Sequence, residues 1–494
     1  MGPKQLIRLG LAAAAIGCLL VASAMATPPS VAPTLSGDES EQVPSTQPGS
    51  GSQAGSSDFL ASLSRSGYAL GDMFGLRPAL SKYGISLNFS ETSEVLGNIS
   101  GGVHQGFDYD GLTQMDLQLD TERAFDWHGG TFNISGLQIH GRNLSEDNLD
   151  TLQTASGIEA DRSTRLWELW YQQKFLDEDK LDVKIGQQSL DQEFMDSQGA
   201  ALFVNTMFGW PMVPSADLPG GGPAYPLSAL GVRARLRATD SLTFLLGVFN
   251  GSPVANNNGD PQQENRSGTS FPLNGGALVI AEMQYAYPAL GSMVYDADSQ
   301  PLSGTYRLGA WYDSESFADE RFDNTGVSLA SPNTTGIPAS HSGDYGLYAV
   351  VDQMLWHSDE DPDHALSFFT RVMGAPQDDR NLIDFSLNAG FTLHDPIPQR
   401  DDDTFGIGVG YARISGSASN ADRDTGFFTG TFFPVRTGET FLEVTYQYEL
   451  TPWCEIQPDF QYIFNPGGGV LNPSAPGTTV KNEAVLGVRI NVLF

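Results

Sequence analysis

The chain has 494 residues, enough for one large domain or several ordinary ones, with 40% hydrophobic, 10% aromatic and only 17% charged residues. Charge lies below the share usual in soluble domains, while Gly (55) is abundant. Acidic residues outnumber basic ones 59 to 26, a net charge of −33, which excludes a nucleic-acid binder, since phosphate contacts need clustered Lys and Arg.

Residues 1–26 carry Lys4 and Arg8, an apolar run from Leu9 to Ala22, and Ala24-Met25-Ala26 before Thr27. A basic start, a short apolar segment and small residues at −3 and −1 predict a secretory signal peptide. Gly17-Cys18 is a rival lipoprotein cleavage point, but Ala15 stands where Leu is usual and the cut would truncate the apolar run. Removing Lys4 and Arg8 leaves 24 basic residues against 59 acidic ones, a net of −35. No other stretch has the 18 apolar residues a transmembrane helix needs. One cysteine, Cys454, remains, so an intramolecular disulfide is excluded.

Residues 27–57 are mostly Pro, Ser, Gly and Thr and have little to bury, which predicts a disordered tail or linker. Residues 58–84 place Phe59, Leu60, Leu63, Leu70, Phe74, Leu76 and Leu80 among polar residues, which predicts one or two short helices, with Pro78 in a first turn. From Ile85 to Phe494 period-two alternation recurs, broken by Gly, Asp, Asn and Pro every ten to thirty residues, with no tandem repeat.

The last three segments are the clearest. Leu442, Val444, Tyr446, Tyr448 and Leu450 alternate with Glu443, Thr445, Gln447 and Glu449. In Trp453–Phe464, Cys454, Ile456, Phe460, Tyr462 and Phe464 oppose Glu455, Gln457, Asp459 and Gln461. Ala484, Leu486, Val488, Ile490, Val492 and Phe494 then share a face opposite Gly487, Arg489 and Asn491. Leu230, Val232, Ala234, Leu236 and Ala238 likewise alternate with Gly231, Arg233, Arg235 and Arg237. In Leu166–Gln173 both faces carry apolar groups, and no face is assigned. A soluble sandwich also alternates. Strands near ten residues, aromatics near strand ends and a terminal strand ending in Phe494 instead favour a membrane barrel, where closure pairs every amide. The expected fold is all-β: a transmembrane antiparallel barrel of about 16 strands over residues 85–494, preceded by one or two short helices.

The stretch EVTYQYELTPWCEIQPDFQYIFNPGG (Glu443–Gly468) resembles the C-terminal signature of the carbohydrate-selective porins (OprB-like), and GLRPALSKYGISLNFSETSEVLGNISGG (Gly75–Gly102) their N-terminal one. GGTFNISGLQIHG, LWELWYQQKF and GDYGLYAVVDQMLW resemble internal strands of that family. The resemblance implies a 16-stranded barrel in the outer membrane of a Gram-negative bacterium, passing monosaccharides and related polyols through a constriction lined by Arg, acidic and aromatic side chains. It leans toward a monomer. It also implies outer-membrane lipid and lipopolysaccharide as surroundings, sugars as permeating solutes, and the barrel-assembly machinery as reader of Phe494. Where the family shows a Gly-Arg pair, Gly186 is followed by Gln187.

The candidate pore-lining or substrate-binding residues are Arg233, Arg235, Arg237, Glu443, Gln457, Asp459, Gln461 and Arg489. Guanidinium forks match vicinal hydroxyls, and an Arg opposed to a carboxylate across a lumen gives a transverse field. The structural alternative is inward pairing, or a place at the rim. Trp167 and Trp311 can stack on sugar rings, although barrel aromatics more often face lipid. The acidic runs at Asp359–Asp361 with Asp363 and at Asp401–Asp403 lack the spacing of a calcium loop and read as solvated loops. No cofactor, metal or enzyme motif is found: HExxH, phosphate loop and GxSxG are absent, and Gly406, Gly408 and Gly410 alternate within a strand. The other functional readings are a general porin for small polar solutes and a secreted carbohydrate-binding β-protein.

Overall fold

The computed structural model describes residues 67–255, 259–288 and 302–494. The expected signal peptide, the 27–57 tail and the first part of the expected helical segment lie outside these residues. Of that segment, Leu76–Ser81 is helical, with Pro78 in its first turn.

Sixteen strands follow. The first half is β1 (Ile85–Ser100), β2 (Gly106–Asp120), β3 (Gly130–Gly141), β4 (Ser163–Phe175), β5 (Leu181–Gln188), β6 (Ala229–Arg237), β7 (Leu242–Asn250) and β8 (Ala277–Tyr287). The second is β9 (Gly304–Asp323), β10 (Pro338–His357), β11 (Ala365–Gly374), β12 (Ile383–His394), β13 (Thr404–Ile414), β14 (Gly438–Thr451), β15 (Cys454–Phe464) and β16 (Glu483–Leu493). Each strand pairs antiparallel with its sequence neighbour, and β1 pairs with β16, so one sheet closes into a barrel. A single closed sheet leaves no second layer for a sandwich.

Alternation sorts the side chains as the sequence predicts. Glu443 and Thr445 point inward and are buried, while Val232, Leu246, Leu308 and Val488 stand exposed on the outer wall. Strand ends differ slightly from the sequence reading. Pro452 and Trp453 form the turn between β14 and β15, and β6 stops at Arg237, before Ala238. Phe494 lies just past β16, where its N–H still reaches the carbonyl of Phe89 at 3.0 Å. The ambiguity at Leu166–Gln173 has a structural cause: pairing of β3 with β4 slips between Ile134 and Gly136, so the faces exchange partway along the strand. Trp167 is buried there, and Leu169 is exposed.

One end of the barrel carries the long connections, chiefly 142–162, 189–228, 251–276 and 415–437. The other end carries shorter turns, except between β8 and β9. At that end the segment leading into the helix and the helix itself are tied to the C-terminus: the Ala69 N–H reaches the Leu493 carbonyl at 2.8 Å, and the Arg77 guanidinium donates to the Phe494 carbonyl.

Candidate functional site

The connection between β5 and β6, residues 189–228, turns into the barrel. It is rich in large apolar groups: Phe194, Met195, Phe203, Val204, Met207 and Phe208 are each at most 5% exposed. Left in water, such a segment would lose the free energy of burying these side chains, about 1.5–3 kcal/mol each. The wall makes room for it. Gly406 and Gly408 sit on the inner face of β13, and a Cβ on Gly408 would stand 2.6 Å from the Phe208 ring and 2.9 Å from Phe203. Phe203 and Phe208 stack at 4.4 Å, and Phe208 meets Phe369 and Phe441 edge-on at 5.7 and 5.3 Å. The alternating glycines are therefore a seat for aromatic rings.

Polar side chains of the wall hold the backbone of this segment. Glu443 accepts the N–H groups of Val204 and Asn205 at 2.6 and 3.1 Å. Gln457 donates to the Leu202 carbonyl at 2.6 Å and to Thr445 at 3.0 Å. Gln461 accepts from the Asn205 amide at 3.0 Å, and donates to Asp459 at 3.0 Å and to the Ala155 carbonyl at 2.7 Å. Arg489 pairs with Glu94 and donates to the Val204 carbonyl at 3.4 Å. Candidates from three strands thus converge on one short stretch around Leu202–Asn205.

The three arginines of β6 are placed elsewhere. Arg233 is 1% exposed and pairs with Asp182 and Glu193, the latter at 2.9 Å. Arg235 reaches Asp182 at 2.8 Å with 34% of its side chain exposed to the interior space. Arg237 lies at the short-turn end and donates to the Glu178 carbonyl at 2.7 Å. Lys184 joins the group by pairing with Glu193 and standing 4.5 Å over the Trp170 ring. Burial alone would raise the Glu193 carboxyl, but Lys184, Arg233 and Arg235 outweigh it and hold it at about 2. Strands β6 and β14 stand eight places apart in the ring of sixteen. The cationic group on β5 and β6 therefore faces Glu443 and Asp459 across the barrel.

Several residues here escape a reading based on polar stripes. Arg371 on β11 is 1% exposed and donates to the carbonyls of Met195, Gly209 and Met207 at 3.0, 2.8 and 2.6 Å. Glu282 accepts from the Met195 N–H at 2.9 Å and Asp352 from Ser197 at 2.6 Å. Glu439 does the same for the connection between β3 and β4, through the N–H groups of Leu152 and Gln153 at 2.9 and 2.8 Å. The available signal was a lone cation between Phe369 and Met373 on an inward face that otherwise carries only Ala365 and Ser367. Gln187, where the family shows Arg, donates to Trp167 and Gly268 at 2.8 and 3.1 Å. Trp167 and Trp311 are both buried. Asp403 is bound by Arg400 and by Tyr446 at 2.6 Å.

The profile of the carbohydrate-selective porin, OprB family, matches residues 104–494. This chain belongs to that family. The match starts after the Gly75–Gly102 stretch and takes in nearly the whole barrel. Among curated relatives, Porin B of Pseudomonas aeruginosa is 24% identical over 451 residues, covering 86% of this chain and 91% of the relative. The putative porin QuiX of Acinetobacter baylyi is 21% identical over 422 residues, covering 81% and 89%. The high-pH structure of Pseudomonas putida OprB superposes with a TM-score of 0.75 at 24% identity, over 87% of this chain and 99% of that one. The chain is thus a transmembrane β-barrel of a channel family, and not an enzyme.

Proposed function

We propose that this porin lies in the outer membrane of a Gram-negative bacterium and lets monosaccharides and related polyols diffuse into the periplasm. The long connections then face the outside, and the helix Leu76–Ser81 and Phe494 the periplasm. The observation that carries the reading is the inward segment 189–228, held from β8 through Glu282 and from β16, eight strands away, through Arg489, so that it narrows the lumen beside a cationic group. In this reading Arg235, the most exposed of the inner-wall candidates, meets the solute and its hydroxyls. Arg233, Glu443, Gln457, Asp459, Gln461 and Arg489 act by holding the constriction and by setting the field across it, and Arg237 lines the periplasmic mouth. Weak, multiple hydrogen bonding lets the solute leave as readily as it enters. Outer-membrane lipid and lipopolysaccharide surround the wall, and Phe494 serves as the signal read by the barrel-assembly machinery. Single-channel recording tests the reading: glucose and a related polyol should lower the ion current reversibly in the millimolar range. A current that no sugar or polyol alters would refute sugar preference and leave a general porin.

A further inference from the structure

The outer wall exposes apolar side chains such as Val232, Leu246 and Leu308. At the short-turn end this surface runs on into a belt. Tyr83 just before β1, Phe125 and Trp127 between β2 and β3, and Leu450 near the end of β14 are all exposed there. Rings at that level mark the boundary between acyl chains and headgroups. The segment that leads into β1 crosses the same end of the barrel, where the first and last strands meet. Its Ala69 N–H is bonded to the Leu493 carbonyl, and its Arg77 guanidinium to that of Phe494. Arg77 also stands 3.6 Å over the Tyr68 ring. The segment is therefore fixed at both ends of its turn.

Held in this way, the segment leaves Leu70, Phe74 and Leu76 exposed, and Phe74 is 99% exposed. The backbone is bent to present that ring. Met73 and Phe74 take left-handed φ angles of 53° and 58°, between Gly71 at 54° and Gly75 at 86°. Glycine adopts this conformation freely, but in Met and Phe the Cβ crowds the following carbonyl, and neither has the short polar side chain that lets Asn or Asp tolerate it. Hydrogen bonds from the Met73 N–H to Leu70 at 3.0 Å and from the Arg77 N–H to Asp72 at 3.1 Å keep the turn in place. Two strained residues in succession and a phenyl ring in water are both unfavourable. Among the described residues no side chain covers the ring. A bilayer would: short amphipathic segments sink their apolar groups about 5–10 Å into the boundary between headgroups and acyl chains.

We propose that Phe74, with Leu70 and Leu76, anchors the segment before β1 in the lipid leaflet at the short-turn end, the periplasmic leaflet in the reading above. The occupant is lipid because the patch continues the lipid-facing wall through Tyr83 and the belt beside it. The anchor holds the segment against the seam between β1 and β16. The proposal rests on the membrane-barrel reading. Spin labelling of the protein in vesicles of phosphatidylethanolamine and phosphatidylglycerol tests it, by collision of the nitroxide with oxygen, which concentrates in lipid, and with a water-soluble nickel chelate. The native Cys454 is buried. Leu70→Cys places a label in the patch and keeps Phe74. Leu246→Cys marks the apolar wall, and Ser474→Cys an exposed site in the β15–β16 connection. The label at 70 should favour oxygen, as the one at 246 does, while the one at 474 favours the chelate. Adding Phe74→Ser to Leu70→Cys should shift the label at 70 about tenfold toward water, the factor expected from losing one partly buried phenyl group. A label at 70 as open to the chelate as the one at 474 would overturn the anchor, as would a reading that Phe74→Ser leaves unchanged. Chelate access at 246 as well would instead overturn the membrane-barrel reading, and the anchor with it.

Discussion

The carboxylate of Glu443 on β14 receives the backbone N–H of Val204 at 2.6 Å, across 239 residues of sequence. It also accepts the neighbouring N–H of Asn205 at 3.1 Å and so fixes the Val204–Asn205 stretch of the inward segment against the wall. Glu443→Ala leaves two buried N–H groups without an acceptor, at a cost of about 1–3 kcal/mol each. The variant should still form a heat-modifiable barrel, because the strand ladder is untouched. Its single-channel conductance should rise and fluctuate as the segment detaches, whereas Glu443→Gln, which keeps one acceptor oxygen, should lie between the two.

Arg371 on β11, three strands from Glu443, holds the same segment through three carbonyls. Arg371→Met preserves much of the side-chain volume and removes all three bonds. Hydrogen bonds to charged groups contribute about 1.5–3 kcal/mol each, less the cost of burying the guanidinium itself. Limited proteolysis should therefore cut the variant within residues 189–228 while the wild type resists. Equal resistance of the two would show that Arg371 is not an anchor.

Gly408 makes the seat for Phe203 and Phe208. Gly408→Val would drive methyl groups into both rings, with an overpacking cost of about 1–3 kcal/mol. The segment should yield before the barrel does. Tm should fall modestly, and conductance should rise as for Glu443→Ala. A variant with unchanged conductance would mean that the rings move without displacing the backbone.

Glu193 supplies a pH dependence. Its folded carboxyl is held at about 2, below the ordinary value of 4.5, so the deprotonated form is favoured in the folded state. The stability it contributes is full above about pH 4.5 and is lost as the pH falls toward 2. Acid should loosen the inward segment over that window, read as rising proteolytic sensitivity. Glu193→Gln should abolish the dependence and be looser at neutral pH as well.

Arg235 differs from these anchors because a third of its side chain faces open space. Arg235→Ala should leave Tm and limited proteolysis nearly unchanged. It should raise the glucose concentration that half-blocks the current by about tenfold, the value of one charge-assisted hydrogen bond of roughly 1.5 kcal/mol.

Most of the barrel was legible because alternation in a closed sheet is imposed locally: each of Leu442, Val444 and Tyr446 needs an apolar surrounding, whatever the rest of the chain does. The inward direction of Glu443, Gln457, Asp459 and Arg489 followed from the same parity. What they touch did not follow. Their partners, Leu202 to Asn205, lie in a connection whose path depends on apolar packing against glycines some 200 residues away in sequence. Gly406 and Gly408 have no meaning until Phe203 and Phe208 are known to arrive there. Arg371 was hidden for the opposite reason, since one cation among Phe369 and Met373 breaks no pattern long enough to notice.

The central claim, a channel that prefers sugars, is tested most directly by swelling of liposomes holding the purified protein. The solutes are glucose, a disaccharide and an uncharged amino acid of glucose's size. Faster swelling in glucose than in the size-matched amino acid, and little in the disaccharide, is the expected result. Rates ordered by size alone, with glucose and the amino acid equal, would contradict it.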